Sequence, residues 1–243
     1  MTRISRWNQN LLLITITVIT GLNAVPPSQR AVRAEAPAKN APTTEGVTAQ
    51  NPPTDEKGWR DLLPKDSLRG WKVTQFGGEG EVQVRDHVLT LQTGNPLTGI
   101  TLDGPPAHRQ NYEIRLEAQR ASGNDFFCGL TFPVGDSYCS LILGGWGGAL
   151  VGISCIDGFD ASENETTQFE QFTNGRWYRV RLQVTPERIK VWLNDKSIID
   201  QALEGHKLTT RLEVDLSQPI GLASFNTQAM IRGFQIRPIP KGK

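Results

Sequence analysis

The feature that most constrains this chain is a two-residue alternation of apolar and polar side chains, repeated in segment after segment beyond about residue 57. From Tyr112 to Ala118, Tyr112, Ile114, Leu116 and Ala118 share one face, and Glu113, Arg115 and Glu117 share the other. From Trp177 to Val184, Tyr178, Val180, Leu182 and Val184 oppose Trp177, Arg179, Arg181 and Gln183; Ile189, Val191 and Leu193 then alternate with Arg188, Lys190 and Trp192. Successive side chains of an extended strand point to opposite faces, so this period with one apolar face is the pattern of a half-buried strand. Asn194-Asp195 predicts a tight turn into a strand at Ser197–Asp200. Further strands are expected at Trp71–Gln75, Glu81–Val84, Val88–Gln92, Gly99–Leu102, Ile220–Asn226 and Met230–Arg237. No stretch of this region sustains a helical period beyond one or two turns. Many short strands between Gly and Pro turns predict an all-β jelly-roll sandwich of two antiparallel sheets.

Two central segments break the alternation. Phe126–Phe132 and Leu141–Leu143 are apolar on both faces. Strands of that kind lie in mid-sheet with a second layer above them. Either packed loops or a ligand-lined face must therefore cover their outer side.

The N-terminal region follows different rules. Met1–Arg6 carries two arginines and no acid, Leu11–Ile19 is a short apolar and threonine run, and small residues follow. That order is the order of a secretory signal peptide, and the run is shorter than the ~20 residues that a bilayer span needs. Cleavage is expected after Ala24, with Ala34-Glu35-Ala36 as a later site; an uncleaved anchor is the other reading. Residues 25–56 are rich in Pro, Ala, Thr, Asn and Gln, which cannot bury enough surface to offset chain entropy, and predict a disordered linker. Residues 57–240 then form one domain, exported to the periplasm or beyond, with membrane contact only through an uncleaved N-terminus. A formal net charge of +1 and the lack of any basic block argue against nucleic acid as a partner.

Three cysteines leave at least one thiol unpaired. A turn at Gly135-Asp136 pairs Val134 with Ser137 and sets Cys139 opposite Phe132, four residues from Cys128 and too far for a disulfide. Cys139 and Cys155 flank the Gly-rich turn at 144–148 and can approach, although buried free thiols are the simpler expectation. No CxxC context supports a cysteine nucleophile.

With the strands laid out, a set of motifs in fixed order resembles the 3-keto-disaccharide hydrolase family. They are Asp61-Leu62-Leu63 with Asp66-Ser67-Leu68-Arg69-Gly70-Trp71, then Val84-Arg85-Asp86-His87-Val88-Leu89, then Asn111–Leu116. Gly175-Arg176-Trp177-Tyr178-Arg179-Val180-Arg181, Ile189–Asp195 and Pro219-Ile220-Gly221-Leu222 complete the series, so the resemblance runs from Trp59 to Ile239. It implies a concanavalin-like jelly roll, export from a bacterium, and hydrolysis of glycosidic bonds in 3-keto-glycosides. The centre departs from the family's commonest form. Asn124–Leu130 lacks the usual arginine, and the stretch from Gly144 to Thr166 lacks the familiar strand with its histidine-bearing sequel. The chain thus resembles a divergent subgroup, to which catalytic roles do not transfer residue by residue.

Candidate chemistry falls in three places. Asp157-Gly158-Phe159-Asp160-Ala161-Ser162-Glu163-Asn164-Glu165-Thr166 holds four carboxylates, one amide and two hydroxyls within ten residues. Glycoside cleavage commonly uses two carboxylates, and loops on sandwiches often carry function. Asp157 and Glu165 are accordingly candidate acids or bases, with Asp160, Glu163 and Asn164 as sugar contacts. A calcium site and a solvated acidic turn are the competing readings of this loop; no other cofactor is expected. Gly144-Gly145-Trp146-Gly147-Gly148 places Trp146 either on a sugar ring or as a cap on the core. Asp125, at the start of a doubly apolar strand, is a candidate catalytic residue, and Arg120 on the preceding strand its orienting partner or a structural ion pair. Trp177, Arg179, Arg181, Lys190 and Trp192 share outward faces, as a solvated surface or a basic aromatic floor. The isolated histidines at 87, 108 and 206 do not predict zinc.

Three functions stay open on these grounds: a hydrolase or eliminating lyase acting on glycosides, a non-catalytic carbohydrate-binding module, and an interaction domain of the cell envelope. Convergence of Asp125, Trp146 and the acids of 157–166 on one cleft separates the first from the others.

Overall fold

The computed structural model describes residue 55 and residues 57–240; the expected signal peptide, cleavage sites and linker fall outside the described residues, apart from residue 55. In chain order the strands are β1 (Arg60–Asp61), β2 (Trp71–Val73), β3 (Val82–Arg85), β4 (Val88–Leu91), β5 (Leu97–Leu102), β6 (Tyr112–Ser122), β7 (Cys128–Val134) and β8 (Ser137–Gly144). They continue with β9 (Leu150–Ser154), β10 (Gln168–Phe169), β11 (Trp177–Val184), β12 (Arg188–Leu193), β13 (Lys196–Ala202), β14 (Gly221–Phe225) and β15 (Gln228–Pro238). A short 3-10 helix spans Leu212–Ser217.

These strands make two antiparallel sheets. The first has the order β13-β12-β11-β6-β15-β4-β3 with β1 paired to β15, and the second the order β10-β9-β8-β7-β14-β5-β2. The apolar sets picked out by alternation all face one shared core: Tyr112, Ile114, Leu116 and Ala118 of β6, and Tyr178, Val180, Leu182 and Val184 of β11, with Cys128, Leu130, Phe132, Leu141 and Leu143 of the second sheet. Burying each Leu, Ile or Phe of that set contributes about 1.5–3 kcal/mol. Tyr112 adds a polar tie between the layers, because its hydroxyl donates to the Pro133 carbonyl at 2.6 Å and so is satisfied inside the core.

The register predicted at Gly135 holds, and the tight turn predicted at Asn194-Asp195 forms. Val134 pairs with Ser137 and Phe132 with Cys139 across the turn at Gly135. Leu193 pairs with Lys196, and Asn194 and Asp195 take φ of 48° and 69°, the left-handed pair that matches the twist of a two-residue hairpin. Cys128, Cys139 and Cys155 are all free and buried, so no Cys139–Cys155 bridge exists. Strand β9 carries no alternation that marks it in sequence, because it too is buried on both faces.

The double burial in mid-sheet has a specific cause. The outer face of β7, β8, β9 and β14 is built largely from small residues, including Gly129, Gly152 and Ala223. A Cβ at Gly129 would touch the Phe126 ring at 3.0 Å, and one at Gly152 would lie 2.9 Å from the Ala161 carbonyl oxygen. Phe126 and the loop bearing Ala161 therefore settle directly on the sheet, forming a small second core with Ile142 and Leu150. Packed loops cover part of this face, and a cleft remains beside them.

Candidate active site

The cleft, about 280 Å3, opens on the outer face of the second sheet. Ile142 of β8, Ser154 of β9, Phe225 of β14 and Leu97 of β5 come from the sheet beneath it; Asp125 and Phe126 come from the β6–β7 connection, Trp146 from the β8–β9 turn, and Arg211, Glu213 and Val214 from the 3-10 helix and the residue before it. An apolar lining with a few convergent polar groups is the usual make-up of a small-molecule site, and this one is near the lower end of the roughly 300–1,000 Å3 range.

The Gly-rich turn explains how Trp146 reaches the cleft. Gly144, Trp146, Gly147 and Gly148 all have positive φ, with Trp146 itself at φ 49° and ψ 53°. A Cβ at Gly148 would lie 2.7 Å from the Asn124 carbonyl oxygen and 2.8 Å from Arg120 Nη1, so the turn must be bare there. The resulting backbone carries the indole outward, 46% exposed, rather than into the core. The N–H of Gly147 donates to Asp125 Oδ2 at 3.3 Å, and the N–H of Phe126 donates to Asp125 Oδ1 at 2.8 Å. Thr227 Oγ1 accepts from the Asp125 N–H at 3.1 Å. Asp125 is thus fixed to the turn that presents Trp146.

Opposite them stands Arg211. Its Nη1 pairs with the Asp160 carboxylate, its Nη2 donates to Glu213 Oε1 at 2.8 Å, and its guanidinium carbon lies 6.0 Å from the centroid of the Trp146 ring. The other Asp160 oxygen accepts the Ser154 hydroxyl. The hydrogen bond from Arg211 holds the Glu213 carboxyl below its ordinary range, and the same contact raises Arg211 above its own. This edge of the cleft therefore holds a guanidinium between two carboxylates, Asp160 and Glu213.

The structure brings Asp125 and Trp146 together in the cleft lining, and ties Asp160 to it through Arg211. That grouping does not extend to the rest of the acidic loop. Asp157 Oδ2 is 2.7 Å from His206 Nδ1, and Glu165 Oε1 is 3.8 Å from His206 Nε2, so both predicted acids are drawn to a histidine outside the cleft lining. A hydrogen bond from the Lys207 N–H, then one from His206, lowers Asp157 below the usual carboxylate range. Glu163 is exposed and outside the cleft lining. Asn164 donates to the carbonyls of Ile153 and Asp160 at 2.8 and 2.7 Å, and its Oδ1 accepts from Thr166, which makes it a staple of the loop rather than a sugar contact. Among the described residues no group of three or more His, Cys, Asp or Glu side chains is arranged to hold a metal ion, because these acids face different partners.

Arg120 is also corrected. It makes no pair with Asp125; it is buried and donates to Asn174 Oδ1 at 2.7 Å, the Phe172 carbonyl at 2.6 Å and the Gly148 carbonyl at 3.2 Å. Its role is to hold the far side of the glycine turn. Sequence reasoning missed Arg211, Glu213 and Ser154. Only the run Arg211-Leu212-Glu213-Val214-Asp215, polar and apolar by turns, hinted at anything, and it folds as a 3-10 helix with Leu212 and Leu216 exposed. Of the outward residues of the first sheet, Arg179, Arg181 and Trp192 line a separate groove of about 610 Å3 on the opposite side of the sandwich, whereas Trp177 packs against Arg232 and Lys190 pairs with Asp200 outside it.

The two-sheet architecture defines a jelly roll, and solved structures share it. One is a protein of unknown function with a galectin-like fold from Bacillus subtilis (TM-score 0.50, 11% identity, covering 70% of this chain and 90% of that one). Another is Crh5 transglycosylase in its apo form (TM-score 0.51, 11% identity, 75% and 84% covered). A putative glycosyl hydrolase from Parabacteroides distasonis aligns at 13% identity with a TM-score of 0.48, over 78% of this chain and 99% of that one. No curated protein matches the sequence. The model of the 3-keto-alpha-glucoside-1,2-lyase-like domain matches residues 58–237, and the chain belongs to that family.

Proposed function

We propose that this domain is an exported enzyme that cleaves glycosidic bonds of 3-keto-glycosides or related sugars in the cleft between Asp125, Trp146 and Arg211. The observation that carries this reading is the placing of one carboxylate without a cation partner among the described residues, one fixed guanidinium and one exposed indole around a single apolar-walled cleft. Family membership supports the substrate class.

The chemistry follows from the ketone. A carbonyl at C3 acidifies the hydrogen on C2, so a carboxylate can remove it. The C2–H electron pair then forms the C1–C2 double bond as the C1–O bond breaks. Asp125 takes that proton and returns it to the departing oxygen, so one residue serves as base and then acid. Arg211 stabilises the negative charge that builds on the C3 oxygen, a preorganised cation acting where charge develops. Glu213, kept ionised by Arg211, cannot donate the proton; it holds the guanidinium and accepts sugar hydroxyls. Trp146 stacks on a ring face. Addition of water across the double bond would complete a net hydrolysis.

This arrangement favours elimination over direct hydrolysis by two opposed carboxylates, because the second carboxylate of the cleft is tied to Arg211. Incubation with 3-keto-glucosides and their parent glycosides tests the proposal. Turnover of the keto sugar alone, reduced at least about 100-fold in Asp125→Asn, is expected. Binding of both sugars by calorimetry with no product from either would leave a carbohydrate-binding module instead. The signal-like N-terminus supports export, and N-terminal sequencing of periplasmic protein should begin after Ala24 or Ala36.

A further inference from the structure

We propose that the groove on the outer face of the first sheet is a second ligand site, which takes a carboxylate-bearing saccharide. Five basic and three acidic side chains line this groove, whose volume of about 610 Å3 exceeds that of the candidate active site. Arg115 on β6 and Arg181 on β11 are directly opposite one another in the antiparallel register. Adjacent strands lie about 4.8 Å apart, and like charges placed opposite each other destabilise a sheet. The one carboxylate beneath them does not balance both. Glu113, with a side chain only 1% exposed, accepts from Arg181 at 3.2 Å on one oxygen and from Arg237 at 2.6 and 3.0 Å on the other. Arg115 instead donates to the neutral Gln235 amide oxygen at 2.6 Å, and among the described residues its one carboxylate is the half-exposed Asp55, at 3.7 Å. Two guanidiniums thus lie side by side above one fully buried carboxylate, a place where an incoming anion would be held by both.

The guanidinium planes are also held in place before any ligand arrives. Arg181 stacks on the Trp192 ring at 3.7 Å, and Arg115 and Arg237 stack on Trp59 at 4.2 and 4.4 Å. Stacking occupies a face of each guanidinium, and Arg237 spends its Nε–Nη2 edge on Glu113, whereas Arg181 gives Glu113 only Nη1 and keeps its Nε–Nη2 edge for a carboxylate, in the fork geometry that binds such groups bidentately. Charge and geometry call for a carboxylate. That it is borne by a sugar rests on the carbohydrate reading of the protein.

The test uses the full chain and oligogalacturonate, with its fully methyl-esterified form as the uncharged control of the same shape. Calorimetry should show binding of the acid form that weakens as salt rises, as expected for exposed charges, and no measurable binding of the ester. Arg181→Gln, checked by thermal melting, should weaken binding at least about tenfold, with partial recovery in Arg181→Lys. Asp195→Asn, which frees Arg179 from an exposed pair at 2.5 Å, should strengthen binding in a variant with no reason to misfold. Asp125→Asn should leave this binding unchanged while removing turnover. Equal binding of acid and ester, loss of binding only in Asp125→Asn, tighter binding of a single-stranded oligonucleotide, or no binding at all would each overturn the inference. Oligogalacturonate binding lost in Arg181→Gln, with no turnover of any glycoside, would retain this site and remove the proposed enzyme.

Discussion

Asp160 and Arg211, 51 residues apart in sequence, form the ion pair that sets the guanidinium against the cleft. One carboxylate oxygen takes Arg211 and the other takes the Ser154 hydroxyl and the Ala161 N–H, so the acidic loop, β9 and the segment leading into the 3-10 helix meet at a single side chain. Asp160→Asn keeps the shape but loses the charge. It should lower stability by about 1–3 kcal/mol, read from urea unfolding, because hydrogen bonds to charged groups are the stronger ones. Turnover of a 3-keto-glucoside should fall as well, since Arg211 is then anchored only by Glu213.

Trp146 allows a test of ligand stacking that barely touches the fold. Its left-handed backbone suits glycine, and its ring is 46% exposed. Trp146→Gly should melt within about a degree or two of the parent, or slightly above it. Sugar affinity should drop about threefold to tenfold, the size expected for one lost aromatic contact of about 0.5–1.5 kcal/mol. A large fall in melting temperature would show that the indole braces the turn instead.

Arg120 should behave in the opposite way. Arg120→Met removes a buried cation from three oxygen acceptors, and the Phe172 and Gly148 carbonyls lose their donor. A loss of about 2–4 kcal/mol is expected by denaturant unfolding, from carbonyls left without partners. Any loss of turnover should track the fraction unfolded. A stable but inactive variant would return Arg120 to the chemistry.

The buried thiols give the pH dependence. Burial pushes Cys128 from its ordinary value near 9 up to about 12, and it raises Cys139 and Cys155 too. A raised thiol favours the fold while the group is neutral. Its contribution is therefore complete below about pH 9 and is lost as pH rises from about 9 toward 12. Unfolding curves across that interval should show stability falling, more steeply than in Cys128→Ala. At pH 8 a thiol reagent should label the native protein slowly, and all three cysteines at once in denaturant.

The sequence by itself determined the two-sheet sandwich. A strand buried on one face writes its register into every second residue, so Trp177–Val184 was legible to its ends and the hairpin at Gly135 to the residue. At Asn194-Asp195 the turn was legible but not the bulge at Val191–Trp192. The same logic fails for β9, where both faces are buried and no alternation survives. In the candidate site, Asp125 and Trp146 were visible because an acid before an apolar strand and a tryptophan among glycines are locally unusual. The acids of the 157–166 loop were equally visible as a group, yet only tertiary structure divided them. Asp160 turns to Arg211 and Ser154, whereas Asp157 and Glu165 turn to His206, because the 203–211 segment crosses the loop and brings one basic side chain to each side. Local pattern records which face a residue occupies; it carries no trace of a partner some 50 residues away, and the chemistry of this cleft depends on such a partner.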